Sequence, residues 1–496
     1  MKRLLLSLGA VGASLLTCGA SAAQPVASPA PPARAVNEPR DELIPVRVST
    51  RVELLSIVFQ LAGAPEYNQY NAKSPYAQRS LAYFRDFAGH EAVKLARRYR
   101  KDHGVSHDAV MSLAVHLAEP KPGEPLLPLK PKILFDFKPE RLEKRWNAER
   151  ANAFLEALNR FAVDAKVEAF FAEHAGLYEK TASRLSERVN ARPYRAWLDG
   201  FFGAKPGATF MAMPGLMNGG QNYGVSVLHA DGREEVLPVI GVHRFDADGV
   251  PVFAEADGPV IVHEFCHAYV NPLVDKHAKD LVPAFEKLFS LRSPMMRQQA
   301  YGNAQTVAYE TLVRACTVRY AVEKESKEAA EAQLLEERGR GFLWVGELVE
   351  LMGRFQLQRE KYPTFESFMP EVVEHCTNVA GEAAEQMKKL PAVKSVTPDV
   401  RGSAGRNVDP AAKEIVIEFD RPMRGSVSLV GDPKALPRLT GSPWWSSDGR
   451  TCTLPVRLEP GRRYTLKLNG PGYRGFCSAD GYAMDPVEWS FSTTSK

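Results

Sequence analysis

Residues 255–272 read EADGPVIVHEFCHAYVNP, and the reading of the rest of the chain turns on them. Asp257 or Gly258 can cap a helix, and Pro259 suits its first turn, where the N–H that proline lacks has no partner anyway. On such a helix His263 and His267 stand one turn apart on one face, about 40° from each other around the axis. Two imidazoles so placed can bind one zinc ion. Glu264, beside them, can accept a proton from water that the metal acidifies for attack on a carbonyl. The spacing therefore accounts for all three residue types. The competing reading is two helix histidines packed or solvated around a surface glutamate. The helical setting, directly after a strand-rich stretch, favours the metal. One such motif, with no second His/Cys cluster at ligand spacing, implies one Zn2+ per chain.

A catalytic zinc site needs a third protein ligand and one open position. His277 and Asp275 follow on the same segment, but a continuing helix would carry His277 about 15 Å from His267. A break at Pro272 would bring both back into play. Glu310 lies 43 residues past His267 in a second helical pattern, NAQTVAYETLVRACTVRY, with Arg314 four residues on. It is either the third ligand or half of an ordinary ion pair on a helix surface. The apolar Val307, Leu312 and Val313 around it suggest a half-buried segment and favour the ligand.

Four further residues are candidates. Asn271, one turn beyond His267, can orient that ligand or cap the helix end. Tyr301 and Tyr223 can donate to a developing oxyanion or serve as packing tyrosines. Cys266 points off the histidine face and reads as a small buried apolar residue. The strand NYGVSVLHA, residues 222–230, can be an edge that pairs with extended substrate or an ordinary hairpin strand.

Outward from this motif, 496 residues suit two to four domains. Hydrophobic residues are 45% and charged residues 25%, with a net charge of +4. That balance fits a globular chain with a full core, and no basic stripe argues for nucleic acid. Lys2 and Arg3, the apolar run at 4–16 and Ala20-Ser21-Ala22 read as an export signal over 1–23. The rival is a lipoprotein signal acylated at Cys18, which Thr17 fits poorly. No segment is long and apolar enough for a transmembrane helix. Residues 24–45, rich in Pro, Ala and Val, form a linker. Five cysteines remain past the signal, so at least one thiol is free or bridges chains, and Cys452 and Cys477 could pair.

Residues 46–390 are mostly helical. Helical patterns cover 74–104 and, as a long pair, 140–189. Strands with a hairpin at His229-Ala230-Asp231-Gly232 fill 207–245. The helical pattern returns at Pro259, with breaks at Pro272, Pro294 and Gly302. The charged run 324–340 reads as a solvated helix face or an exposed connection. A hinge follows near 391–409, and short alternating strands over 395–496 imply a small β-sandwich, separable from the rest.

Two resemblances add to this. The pairing of HEFCHAYVNPL at 263–273 with YETLVRACTVRY at 309–320 resembles the gluzincin class of zinc metallopeptidases, in which HExxH is completed by a Glu on a later helix. More closely, these segments and RVELLSIVFQLAG at 51–63 resemble a bacterial family of exported proteins known mainly as an uncharacterised domain, over about 46–389. The resemblance implies His263, His267 and Glu310 as ligands and Glu264 as catalytic acid/base. IEFDRPM at 417–423 and WSFSTT at 489–494 resemble the bacterial Ig-like domain of surface-layer type. The expected architecture is α+β: a mostly helical zincin-like domain with a small sheet, then a β-sandwich. The expected activity is zinc-dependent hydrolysis of peptide bonds in peptide or protein substrates, in the periplasm or outside the cell. The alternatives are a non-catalytic zinc-binding envelope protein, or an adhesion or wall-binding protein working through the Ig-like domain.

Overall fold

The computed structural model describes residues 43–69, 73–118, 142–401, 407–470 and 472–495. The expected export signal with Cys18, and nearly all of the 24–45 linker, lie outside the described residues. Helices α1 (Thr50–Leu61), α2 (Pro75–Phe84), α3 (Glu91–His103), α4 (Asp108–Val115), α5 (Ala148–Asp164), α6 (Val167–Glu173), α7 (Ala175–Val189) and α8 (Tyr194–Phe202) come first. The 74–104 pattern starts and stops as read: Ser74 accepts from Ala77 N, and Gly104 ends the run in the left-handed region at φ 67°. Between these ends it is two helices, because the His90 side chain caps α3 afresh by accepting from Ala92 N. The expected pair over 140–189 is likewise three helices, α5 to α7.

Five short strands follow: β1 (Thr209–Phe210), β2 (Met213–Gly215), β3 (Ser226–Leu228), β4 (Glu234–Val236) and β5 (Val239–Gly241). β4 lies between β1, parallel, and β3, antiparallel, while β2 pairs with β5. Alternate residues of a strand face opposite ways, and here each face meets a different helical core. Leu237 and Val239 join the core of α1 to α6, whereas Val236 and Ile240 join the core built largely from the later helices. These two small sheets are thus clamped between the two cores.

The later helices are α9 (Gly258–Lys276), α10 (Ala278–Gln298), α11 (Ala304–Lys324), α12 (Lys327–Gly339), α13 (Val345–Leu357), α14 (Phe365–Gly381) and α15 (Ala383–Lys388). Neither Pro272 nor Pro294 breaks a helix; they lie inside α9 and α10. The break near Gly302 is real, between α10 and α11. Among the described residues, no helix is long and apolar enough to cross a membrane.

The C-terminal region is all β: β6 (Val393–Thr397), β7 (Asn407–Val408), β8 (Glu414–Phe419), β9 (Leu429–Val430), β10 (Arg438–Leu439), β11 (Trp444–Trp445), β12 (Thr451–Arg457), β13 (Arg463–Leu468) and β14 (Val487–Thr493). One sheet runs β10-β12-β8-β6 with β11 also on β12; the other runs β7-β14-β13-β9. Ile415, Ile417 and Phe419 from the first share a core with Tyr464, Leu466 and Leu468 from the second, as their alternation requires. The whole chain is therefore α+β, mostly helical and ending in a β-sandwich. Cys452 and Cys477 are both buried and unbridged. The sandwich, expected to be separable, touches the helical region. Tyr482 of the sandwich is buried in the helical core, and Arg292 of α10, itself 3% exposed, bonds Asp485 at 2.7 Å.

Candidate metal centre

α9 carries the HExxH residues, and its continuity through Pro272 has a local cause. Proline at 272 has no N–H to offer the carbonyl of Ala268, four residues back. Lys205 Nζ supplies that bond instead, donating to Ala268 O at 2.8 Å while it also pairs with Glu234. Asp257 stands at the head of the helix but does not cap it with its side chain. Its carboxylate accepts from Ala254 N at 2.7 Å and from Arg244. α11 packs along α9, opened by Asn303, whose side chain accepts from Thr306 N at 2.9 Å.

This pairing brings Glu310 to the two histidines. His263 Nε2 lies 3.6 Å from Glu310 Oε2, and His267 Nε2 lies 3.6 Å from Glu310 Oε1. The ligand atoms of the three residues all fall within 4.8 Å of one another, and no other such cluster occurs among the described residues. Ligand atoms arranged tetrahedrally around zinc at its usual bond lengths stand about 3.3 Å apart, so the spacing suits that ion. His267 is aimed by a second contact: its Nδ1 lies 3.1 Å from Asn271 Oδ1. With the amide oxygen accepting, Nδ1 carries the proton and Nε2 is left for a metal. That contact is the one the orienting role of Asn271 requires.

His277 and Asp275 stay away. α9 continues unbroken to Lys276, and Asp275 is engaged by Tyr309 and by Gln305 Nε2 at 2.7 Å. Tyr301 supports Glu310. Its hydroxyl donates to Glu310 Oε2 at 3.0 Å and accepts from Arg314 Nη2 at 2.7 Å. Arg314 also bonds Glu310 Oε2 directly at 3.0 Å, so Glu310 is both the i, i+4 partner and a member of the cluster. Tyr223 lies in the first helical core, and its hydroxyl faces that of Tyr67. Cys266 is fully buried with its thiol pushed up by burial, as a packing residue.

Burial holds Glu264 well above the usual carboxylate range, and the Glu310 charge adds to that; Arg314 and the Gly224 N–H work the other way. Burial, then His267, Arg314 and Arg340, hold His263 well below its usual value, so it is neutral. The His263 and His267 imidazoles and the Glu310 carboxylate form a donor set of the kind that suits a divalent cation.

Two features escaped the sequence reading. Gly224 presses on α9: a Cβ there would meet Glu264 O at 2.5 Å and His267 Cβ at 2.6 Å. An isolated glycine in a strand pattern signals such an approach, so this one was findable. The segment continues β3 at the sheet edge, bonded through Leu237 N to Val225 O and Val239 N to Tyr223 O, both 2.9 Å. The second is Glu337, in the run read as solvated. It is 2% exposed and pairs with Arg314.

No curated protein matches the chain. Two solved chains do, the surface layer protein SbsC, domains 1–6, and the S-layer protein rSbsC(31-844). They are each 14% identical, with TM-scores of 0.16 and 0.15 over 73% of this chain. The chain spans 43% of the length of either one, and likeness this slight carries no argument. The description Domain of unknown function (DUF4932) matches residues 42–375, from the first described residues into α14 and across His263, His267 and Glu310, so the chain belongs to that family.

Proposed function

We propose that this chain is an exported zinc-dependent peptidase of the gluzincin kind, acting in the periplasm or outside the cell. The observation that carries the reading is the convergence of His263 Nε2, His267 Nε2 and the Glu310 carboxylate, with Glu264 on the same helical turn. These three residues would hold one zinc. Zinc so held supplies Lewis acidity, polarising a peptide carbonyl and lowering the pKa of water. The chain's own residues do the rest. Glu264 takes the proton of the attacking water as its oxygen bonds the carbonyl carbon, then passes that proton to the leaving amine as the C–N bond breaks. Asn271 fixes the His267 ring; Tyr301 and Arg314 fix Glu310. The C-terminal sandwich, with its resemblance to Ig-like domains of surface-layer type, suits contact with the cell wall or surface.

The test is elemental analysis of the purified full chain together with a mixed peptide library whose cleavage sites are mapped. We expect one zinc per chain and cleaved peptides. Glu264→Gln should keep the zinc and lose about 10²–10⁴-fold in rate, since an amide cannot accept the proton. Cleavage by that variant at the parent rate would refute the mechanism. Bound zinc without any cleavage would leave a non-catalytic zinc-binding envelope protein. Wall binding without zinc would leave an adhesion protein.

A further inference from the structure

Helix α12 and the turn of the sandwich that touches it have no part in the chemistry above, yet they join end to end with the third ligand. α12 is thinly anchored: its buried residues are Ala330, Glu337 and Gly339. The sandwich grips it from outside. Arg474 Nη1 donates to Gly339 O at 2.9 Å, and Arg338 Nη1 donates to Asp480 O at 3.0 Å. The Arg338 guanidinium sits 5.1 Å over the Tyr482 ring. Gly481, at φ +96°, lets the turn close on the helix, where a Cβ would meet Leu335 Cα at 2.8 Å.

From α12 the contacts run inward. Glu337 accepts from Gln333 Nε2 at 2.5 Å with one oxygen and from Arg314 with the other. Arg314 is 4% exposed, lies 4.7 Å over the Phe342 ring, and bonds both Glu310 and Tyr301. A buried guanidinium needs its carboxylates in place, so the position of Glu337 sets the position of Arg314. Arg314 in turn holds the oxygen of Glu310 that faces His263.

The geometry points to the β-sandwich as a positioning element of the metal centre: through Arg474 and Tyr482 it seats α12, whose Glu337 holds Arg314 against the third ligand, Glu310. This rests on the metal-site reading. It makes Arg474, Tyr482, Glu337 and Arg314 positioning residues, none of them touching the metal. The sandwich then has a role toward the site besides any contact with the cell surface.

The test uses the full chain and two readouts. The first is zinc affinity in competition with a chelator; the second is amide hydrogen exchange over 304–314 and 327–340. Arg474→Ala/Tyr482→Ala should exchange faster in both segments and bind zinc about 10–100-fold more weakly, as loss of a ligand's support does. Tyr482→Phe keeps the ring under Arg338 and should match the parent. Glu337→Gln, which leaves the sandwich contacts intact, should weaken zinc by a similar factor. The inference is overturned if the double variant loosens 327–340 while zinc affinity and exchange over 304–314 stay at parent values. It is equally overturned if Glu337→Gln binds zinc like the parent. Should the parent bind no zinc, the metal reading fails, and exchange over 304–314 in the double variant still decides whether the sandwich reaches Glu310. Should the double variant not fold, Arg474→Ala alone is read the same way.

Discussion

Glu310 carries more contacts than a metal ligand needs. Its two oxygens face two imidazoles, and one of them also takes bonds from Tyr301 and Arg314. A carboxylate held by so many partners loses little further freedom when it binds a metal. Glu310→Ala should therefore weaken zinc binding far more than Asp275→Ala or His277→Ala, whose side chains lie outside the cluster. Chelator titration of the three variants gives the comparison. If Asp275→Ala or His277→Ala loses zinc and Glu310→Ala does not, the third ligand lies past Pro272 and the gluzincin assignment falls. Asn271→Ala should cost about tenfold in affinity by freeing the His267 ring; parental affinity would reduce Asn271 to a packing residue. Much at this scale was legible. The four-residue histidine spacing follows from helix geometry, and apolar neighbours marked Glu310 as half-buried. The two roles open to Asn271 could not be separated, because capping and orienting use the same amide at the same position. The 3.1 Å contact to His267 Nδ1 favours the orienting one.

Among the elements, α9 shows where local rules give way. Proline inside a helix costs about 3 kcal/mol or more in isolation, which is why a break at Pro272 was expected. Lys205, far back in the chain, offsets part of that cost by bonding the released Ala268 carbonyl. No window of sequence around Pro272 contains that partner. The charged run 324–340 misled for the same reason: α12 is mostly exposed, but Glu337 turns in to an arginine on another helix. The sandwich strands were easier, since a period of two survives packing on either face. The seat of the 222–225 segment on α9 gives a direct prediction. Gly224→Ala places a methyl against the backbone oxygen of Glu264 and against His267, atoms that cannot swing aside. It should cost about 1–3 kcal/mol and weaken zinc binding with it. Thermal denaturation followed by helical circular dichroism, with zinc titration alongside, would read both; an unchanged midpoint and affinity would show that the strand does not bear on the helix.

At the scale of the whole molecule, three hydrophobic cores are joined by two small sheets clamped between two of them and by one tyrosine that crosses from the third. The proline- and glycine-rich hinge near 391–409 suggested independent halves. It could not reveal Tyr482, because a single ring crossing an interface leaves no pattern in composition. The five thiols follow this division and make the division measurable. Cys266, Cys316 and Cys376 lie in the helical core, while Cys452 and Cys477 lie in the sandwich, all unbridged. Burial pushes Cys376 and Cys452 up to about 12 and Cys477 up to about 11, so almost no thiolate exists near neutrality. An alkylating reagent is therefore refused until the surrounding core opens, and the chain holds two sets of built-in tags, one for each half. With denaturant rising, mass spectrometry should find both sets becoming alkylated together in the parent, because the halves lean on each other. In Arg474→Ala/Tyr482→Ala the two sets should come apart, each following its own core. A parent whose Cys452 and Cys477 react well before the other three would mean that the sandwich opens alone. Because none of these five thiols is bridged, reductant should leave the midpoint of unfolding unchanged.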